Sequence, residues 1–164
     1  MIYWLMGILI LLIAGLDQLS KFWVVHNMTL GQSIPALKGV FELHYVRNSG
    51  MAWSLFDGGG ARWFFVVMTL LVFVLVIFAV KKHWLQGKFQ LLSVAAVMGG
   101  ALGNFIDRLL TGEVVDMIRV TFIDFPVFNV ADCFVTCGAI LLMAGILFED
   151  VFRKKKEEPH DLDG

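Results

Sequence analysis

Two aspartates stand beside apolar runs long enough to cross a bilayer: Asp116 in "GEVVDMIRV" and Asp132 in "FNVADCFVTCGAI". Ionisable side chains at membrane depth are costly, and they normally face a bundle interior or a wet cavity. Further polar residues accompany them: Asp17 in "GLDQLSK", Asn48 in "VRNSGMAW", Asn104, Asp107 and Arg108 in "GNFIDRLL", and Asn129 just ahead of Asp132. Two carboxylates brought close cannot both ionise easily and share one proton. One can then activate water while its protonated partner polarises a carbonyl, which is the chemistry of hydrolysis.

Other chemistries are poorly supplied. His44 lies on the polar side of an alternating stretch and reads as a surface residue, and the chain has no H-E-x-x-H to hold a catalytic metal. Ser20 and Lys21 are adjacent, so on a helix they point about 100° apart, a poor arrangement for a Ser/Lys dyad. Cys133 and Cys137, spaced i,i+4, read as small packing residues rather than a disulfide or zinc framework. No metal, cofactor or nucleic-acid partner is expected.

Structural readings compete at the same positions. Asp17 and Lys21 are i,i+4 and suit an intrahelical ion pair. Asn129 suits an N-cap, with Asp132 near the positive end of the helix dipole, which also favours Asp132 as the charged member of a pair. Arg108 can snorkel. Asp107 is harder to explain, because a carboxylate at the carboxyl end of a helix opposes the dipole. It suggests a held network with Asn104 and Arg108.

The positioning elements follow from composition. Of 164 residues, 59% are hydrophobic and 16% charged, against about a quarter charged in soluble domains. Four spans are predicted, at about residues 1–21, 63–80, 89–107 and 130–148, within one domain covering 1–164. The first lacks a basic n-region and an A-x-A-like site, so it reads as a retained span. Lys81, Lys82 and Lys88 crowd the link between spans two and three, and Arg153 to Lys156 begin a basic tail at 153–164. The positive-inside rule puts both stretches, and both termini, in the cytoplasm. All eight polar residues then fall at the outer ends of spans or in the outer links.

In those links "FELHYV" alternates as a strand does, and "EVVDMIRVTF" with "FPVF" suggests a hairpin around Ile123 and Asp124. "SGMAWSLF" suits a short amphipathic helix at the interface, lying across the outer opening as a lid or a fixed wall. Gly99 and Gly103 form G-x-x-x-G, which calls for close helix packing and no chemistry. The fold class is an all-α membrane protein of four transmembrane helices with a small β-containing cap. A transporter would also hold carboxylates in a bundle, but nearer mid-membrane, and a structural four-span protein would need no such cluster.

"GNFIDRLLTGEVVDMI" together with "FPVFNVADCFV" resembles the bacterial lipoprotein signal peptidases, or signal peptidase II, and "DQLSK" and "RNSGMAWS" match that family's two earlier motifs. The resemblance covers nearly the whole chain. It implies a membrane aspartic peptidase that removes the signal peptide from prolipoproteins just before a diacylglyceryl-modified cysteine. It implies Asp116 and Asp132 as the catalytic dyad, Asn48 and Arg108 as holders of the substrate backbone, and Asn104, Asp107 and Asn129 as residues that order the site. Asp17 matches the first motif without a clear role. The resemblance further implies an extracytoplasmic β-cradle with a lid-like helix, and inhibition by globomycin-type cyclic peptides. It implies a place in the bacterial inner membrane, among lipid, with the site at the outer face.

Overall fold

The computed structural model describes residues 1–50, 60–85 and 87–157, with side chains through Phe148. Four helices carry the architecture: α1 (Ile2–Asn27), α2 (Gly60–Lys81), α3 (Lys88–Leu110) and α4 (Val130–Glu157). Each is long and apolar enough to cross a membrane, α4 through its stretch Val130–Phe148. α1 continues past the predicted end near residue 21. Its last turns carry Val24, followed by Met28, into a cluster with Tyr45, Val115 and Met117, so the helix is prolonged by what it packs against.

α3 is the hub, packing on α1, α4 and α2. Lipid tails are as apolar as leucine, so helices in a bilayer associate through close packing and polar contacts rather than hydrophobic burial. The glycines supply that closeness. A Cβ on Gly99 would come within 2.8 Å of Ile13 Cβ on α1, and one on Gly138 of α4 within 2.9 Å of the Ser93 carbonyl oxygen on α3. Gly100, between them in function, meets the backbone of α4 at Ala131 and Val135. The predicted G-x-x-x-G packing is therefore present, with α1 as its partner. α2 ends in a Schellman turn: His83 has φ 58°, its N–H donates to the Val80 carbonyl, and the Trp84 N–H donates to that of Ala79.

A three-stranded antiparallel sheet, β1 (Ser33–Leu37), β2 (Phe41–Asn48) and β3 (Val114–Val120), runs in the order β1-β2-β3. It lies at the end of the bundle where α1 and α3 finish and α4 begins. The alternation of "FELHYV" is realised in β2, with Tyr45 buried in the cluster and Leu43 packed against it. β1 was not anticipated; it is an edge strand, exposed along its length and able to hold Pro35 for that reason. The hairpin expected after Glu113 forms only in part. "FPVF" contributes a single antiparallel bridge, Phe128 to Ile118, rather than a second strand. The interfacial helix expected over "SGMAWSLF" falls mostly at 51–59, outside the described residues.

Candidate active site

Asp116 sits in the middle of β3, opposite Val46 of β2, and is buried. Asn48 lies two residues along β2 on the same face, close enough for a diagonal contact. Its Nδ2 donates to Asp116 Oδ2 over 3.0 Å. Asp132 belongs to another element, the first turn of α4.

Asn129 joins the two. Fully buried just ahead of α4, it accepts the Asp132 N–H on its Oδ1 at 3.0 Å, while its own N–H donates to Asp132 Oδ2 at 3.2 Å. This reciprocal arrangement is a capping box with aspartate in the third position. The two amide protons of Asn129 remain. Its Nδ2 donates to Asp116 Oδ1 at 2.6 Å and to Asn104 Oδ1 at 3.1 Å. Asn104, on α3, closes the ring by donating from Nδ2 to Asp132 Oδ1 at 2.7 Å.

Burial pushes the Asp116 carboxyl above its ordinary value. The donors Asn48 and Asn129 pull it back in part, and the negative charge of Asp132 adds to the upward push. A carboxyl so placed holds its proton longer than a solvated one.

A second layer lies beneath. Lys21, almost entirely buried, meets Asp17 Oδ2 at 2.7 Å, Asp107 Oδ2 at 2.9 Å and Asn104 Oδ1 at 2.8 Å, which accounts for all three protons of its ammonium. Asp17 also accepts the Ala131 N–H on Oδ1 at 2.9 Å, satisfying a donor that the start of α4 leaves free. It fits there because Gly103 has no side chain; a Cβ would meet the Asp17 carboxylate carbon at 2.9 Å. Asp107 accepts from Gln18 Nε2 at 2.7 Å and from the Val115 N–H at 3.2 Å, the residue just before Asp116. Its position at the negative pole of α3 is explained by the Lys21 ammonium.

Seven of the eight predicted residues are thus joined in one hydrogen-bonded network: Asp17, Asn48, Asn104, Asp107, Asp116, Asn129 and Asp132. The ion pair and the N-cap read from the sequence both exist, and both are parts of this network. Arg108 stands apart from it. It makes no hydrogen bond or ion pair to a described residue; its guanidinium lies over the Phe65 ring of α2, 4.5 Å from the centroid, within electrostatic reach of Asp132, Asp116 and Asp107.

Lys21 was read as a partner for Asp17 and set aside as a dyad partner for Ser20, and Gln18 was missed. Both lie in the quoted "DQLSK", and Ala14, Asp17, Lys21 and Val24 form one buried helical stripe in which charges interrupt apolar residues. Ser20 Oγ donates to the Asp17 carbonyl at 2.7 Å within its own helix, so it is not aimed at Lys21. The two cysteines do not fill a core. With Phe125, Phe128, Thr136 and Asp132 they line an apolar groove of about 340 Å³.

The family model described as Signal peptidase (SPase) II matches residues 9–148. The chain belongs to the signal peptidase II family. Among signal peptidase II relatives, the lipoprotein signal peptidase of Streptococcus thermophilus (strain CNRZ 1066) is 44% identical over 134 residues, covering 82% of this chain and 86% of the relative. That of Streptococcus pyogenes serotype M1 is also 44% identical, over 82% of this chain and 87% of its own. Two solved bacterial membrane enzymes, both determined by the in meso method, share the fold. One aligns at TM-score 0.82 with 32% identity, covering 94% of this chain and 93% of that structure. The other aligns at 0.81 with 32% identity, covering 87% and 92%. Membership makes the protein a peptidase, and the four apolar helices make it a multi-pass bacterial membrane protein.

Proposed function

We propose that the protein removes signal peptides from prolipoproteins by aspartic catalysis on Asp116 and Asp132, cutting before the diacylglyceryl-modified cysteine. The observation that carries this reading is the Asn129 bridge, which ties the carboxylate of a strand to the carboxylate of a helix start through one fixed amide. Asp132, at the positive end of α4, is the charged member and takes a proton from water. Asp116 keeps the shared proton, aided by its burial, and donates a hydrogen bond to the scissile carbonyl. As the water oxygen bonds to the carbonyl carbon, the Asp116 proton passes to the carbonyl oxygen and a tetrahedral diol forms. The C–N bond then breaks as the proton gained by Asp132 passes to the leaving amine, and a diol proton returns to Asp116.

The remaining residues have supporting roles in this scheme. Asn48 and Arg108 hold the substrate backbone, the latter with a guanidinium not tied to a carboxylate of the network. Asn104, Asp107 and Asn129 keep the dyad in register, and Asp17 anchors the start of α4. The groove beside Asp132, with its Phe125, Phe128 and Cys137 walls, suits the apolar flank of a substrate that never leaves the membrane. Placing the site at the outer interface, with both termini cytoplasmic, follows from the lysines between α2 and α3. Globomycin-type cyclic peptides would occupy the same opening.

The test is direct. Purified protein in detergent should shorten a diacylglyceryl-modified prolipoprotein on a gel, should leave the unmodified precursor intact, and should be blocked by a globomycin-type peptide. Equal cutting of modified and unmodified precursor would remove the lipid requirement, and no cutting would remove the assignment.

A further inference from the structure

At the end of the bundle opposite the dyad, a cavity of about 580 Å³ opens between the start of α1 and the end of α2, with α3 as its floor. Met6, Gly7 and Ile10 of α1, Ile77 of α2 and Met98 of α3 give it apolar walls, and Lys81 stands on its rim. Its size falls among those of small-molecule sites, roughly 300–1,000 Å³. Nothing in the proposed peptide chemistry uses it.

Gly7 keeps it open. Gly99, Gly100, Gly103 and Gly138 each lack a side chain because a neighbouring helix fills the space, but a Cβ on Gly7 would meet nothing within 4 Å. Glycine inside a helix costs about 1 kcal/mol relative to alanine. At residue 7 that cost is not explained by packing between helices; it leaves an unfilled furrow.

The mouth is basic without opposition. Lys81 lines the cavity, and Lys82 and Lys88, in and after the short link that follows it, are exposed, Lys82 lying 5.6 Å from the Phe78 ring centroid. No carboxylate occurs on α1 before Asp17, on α2, in the link from Lys82 to Gly87, or on α3 before Asp107. Among the described residues, α4 contributes none to the cavity. Trp84, largely exposed and packed edge-on against Phe78, sits where aromatic residues mark the headgroup level of a bilayer. The Schellman turn at His83 fixes the backbone that carries these groups.

We infer that this cavity binds one anionic phospholipid, an acyl chain lying in the furrow over Gly7 and the phosphate held at Lys81 with Lys82 and Lys88 nearby. An apolar slot at membrane depth beneath a cationic rim, on elements that carry no carboxylate near it, matches a molecule with an acyl chain below a negative headgroup. Basic pockets between transmembrane helices are known to take such headgroups. A zwitterionic lipid would fill the slot but gain less from the rim, because its own cation offsets its phosphate.

Native mass spectrometry of the full chain in detergent tests this, with phosphatidylglycerol and phosphatidylcholine of matched acyl chains offered in equal amounts. The wild type should retain one phosphatidylglycerol in preference to phosphatidylcholine. Lys81→Gln should lower that preference by about fivefold, the equivalent of about 1 kcal/mol per basic residue at the surface. Gly7→Leu, which places a side chain in open space on a helix it favours, should abolish retention of both lipids. Equal retention of the two lipids by the wild type would leave only a lipid-facing furrow and overturn the proposal. Unchanged phosphatidylglycerol retention in either variant would also overturn it. Both variants should cleave prolipoprotein in detergent as the wild type does, which checks their folding. The mass readout needs no peptidase activity, so a failure of the proposed function would leave this result standing.

Discussion

Asn129 donates to Asp116 over 2.6 Å, and this one bond connects a strand to the cap of a transmembrane helix. The spacing of the two carboxylates in the proposed dyad is therefore set by backbone elements on both sides rather than by two free side chains. Replacing either aspartate by asparagine keeps the size of the side chain but removes its capacity to share or accept the proton.

Asp116→Asn and Asp132→Asn should each abolish cleavage of a modified prolipoprotein while the protein remains folded in detergent. Thermal unfolding followed alongside the gel assay checks both halves. Near-normal turnover in either variant would show that the dyad is not the catalyst, and a dead but folded Ser20→Ala would point back to Ser20.

Burial raises Asp116 above its ordinary value of 3.8, so the folded state binds its proton more tightly than the unfolded chain does. The stability this contributes is present below 3.8 and is lost as pH rises through the higher native value. The thermal midpoint of the wild type should accordingly fall relative to Asp116→Asn as pH climbs through that window. In kcat/KM, the alkaline limb marks loss of the shared proton. Asn48→Ala removes a donor that favours the charged form, so the limb should move to higher pH. A move to lower pH would contradict this account of Asp116.

Lys21→Met should be among the most damaging changes outside the dyad. It leaves Asp17 and Asp107 buried without their counter-ion, and breaking a buried pair in this way costs about 3–5 kcal/mol. The measurement is the unfolding midpoint in detergent. A loss no larger than that of an exposed lysine such as Lys88 would mean that water or lipid headgroups reach the carboxylates.

Two glycine replacements should differ in sign. Gly103→Ala drives a methyl group into the Asp17 carboxylate and should destabilise by about 1–3 kcal/mol, as overpacking does. Gly15→Ala meets nothing within 4 Å and should be neutral or gain up to about 1 kcal/mol from helix propensity. Equal effects would mean that α1 and α3 can slide apart at Gly103 without cost.

Topology is checked independently by reporters active only outside the cytoplasm. Fusions in the link between α3 and α4 should report, and fusions at Lys82 should stay silent. A signal at Lys82 would turn the dyad to the cytoplasmic face.

The helices were legible because uninterrupted apolar runs of their length leave little else for the chain to do. The site was legible as a shared depth: residues far apart in the chain all fall at the outer ends of spans or in the links between them. Its wiring was not. No spacing rule reveals that the amide of Asn129 reaches Asp116, or that Lys21 serves three acceptors on two helices, since those contacts arise only once α1, α3 and α4 pack. β1 was illegible for a different reason. All five of its residues are exposed, so burial imposed no alternation, and Pro35 between Gly31 and Gly39 reads as a turn.

The bond from the Ala131 N–H to Asp17 spans 114 residues, and this separation is also an interval of time. At about 5–20 residues per second, the ribosome delivers the partner of Asp17 on the order of ten seconds after Asp17 itself. Throughout that interval the newborn first helix carries a carboxylate whose place against Gly103 and Ala131 does not yet exist. Biosynthesis is complete, in an energetic sense, only when the last helix arrives. A chain arrested before Val130 still pairs one Asp17 oxygen with Lys21 of its own helix but leaves the other without its Ala131 partner.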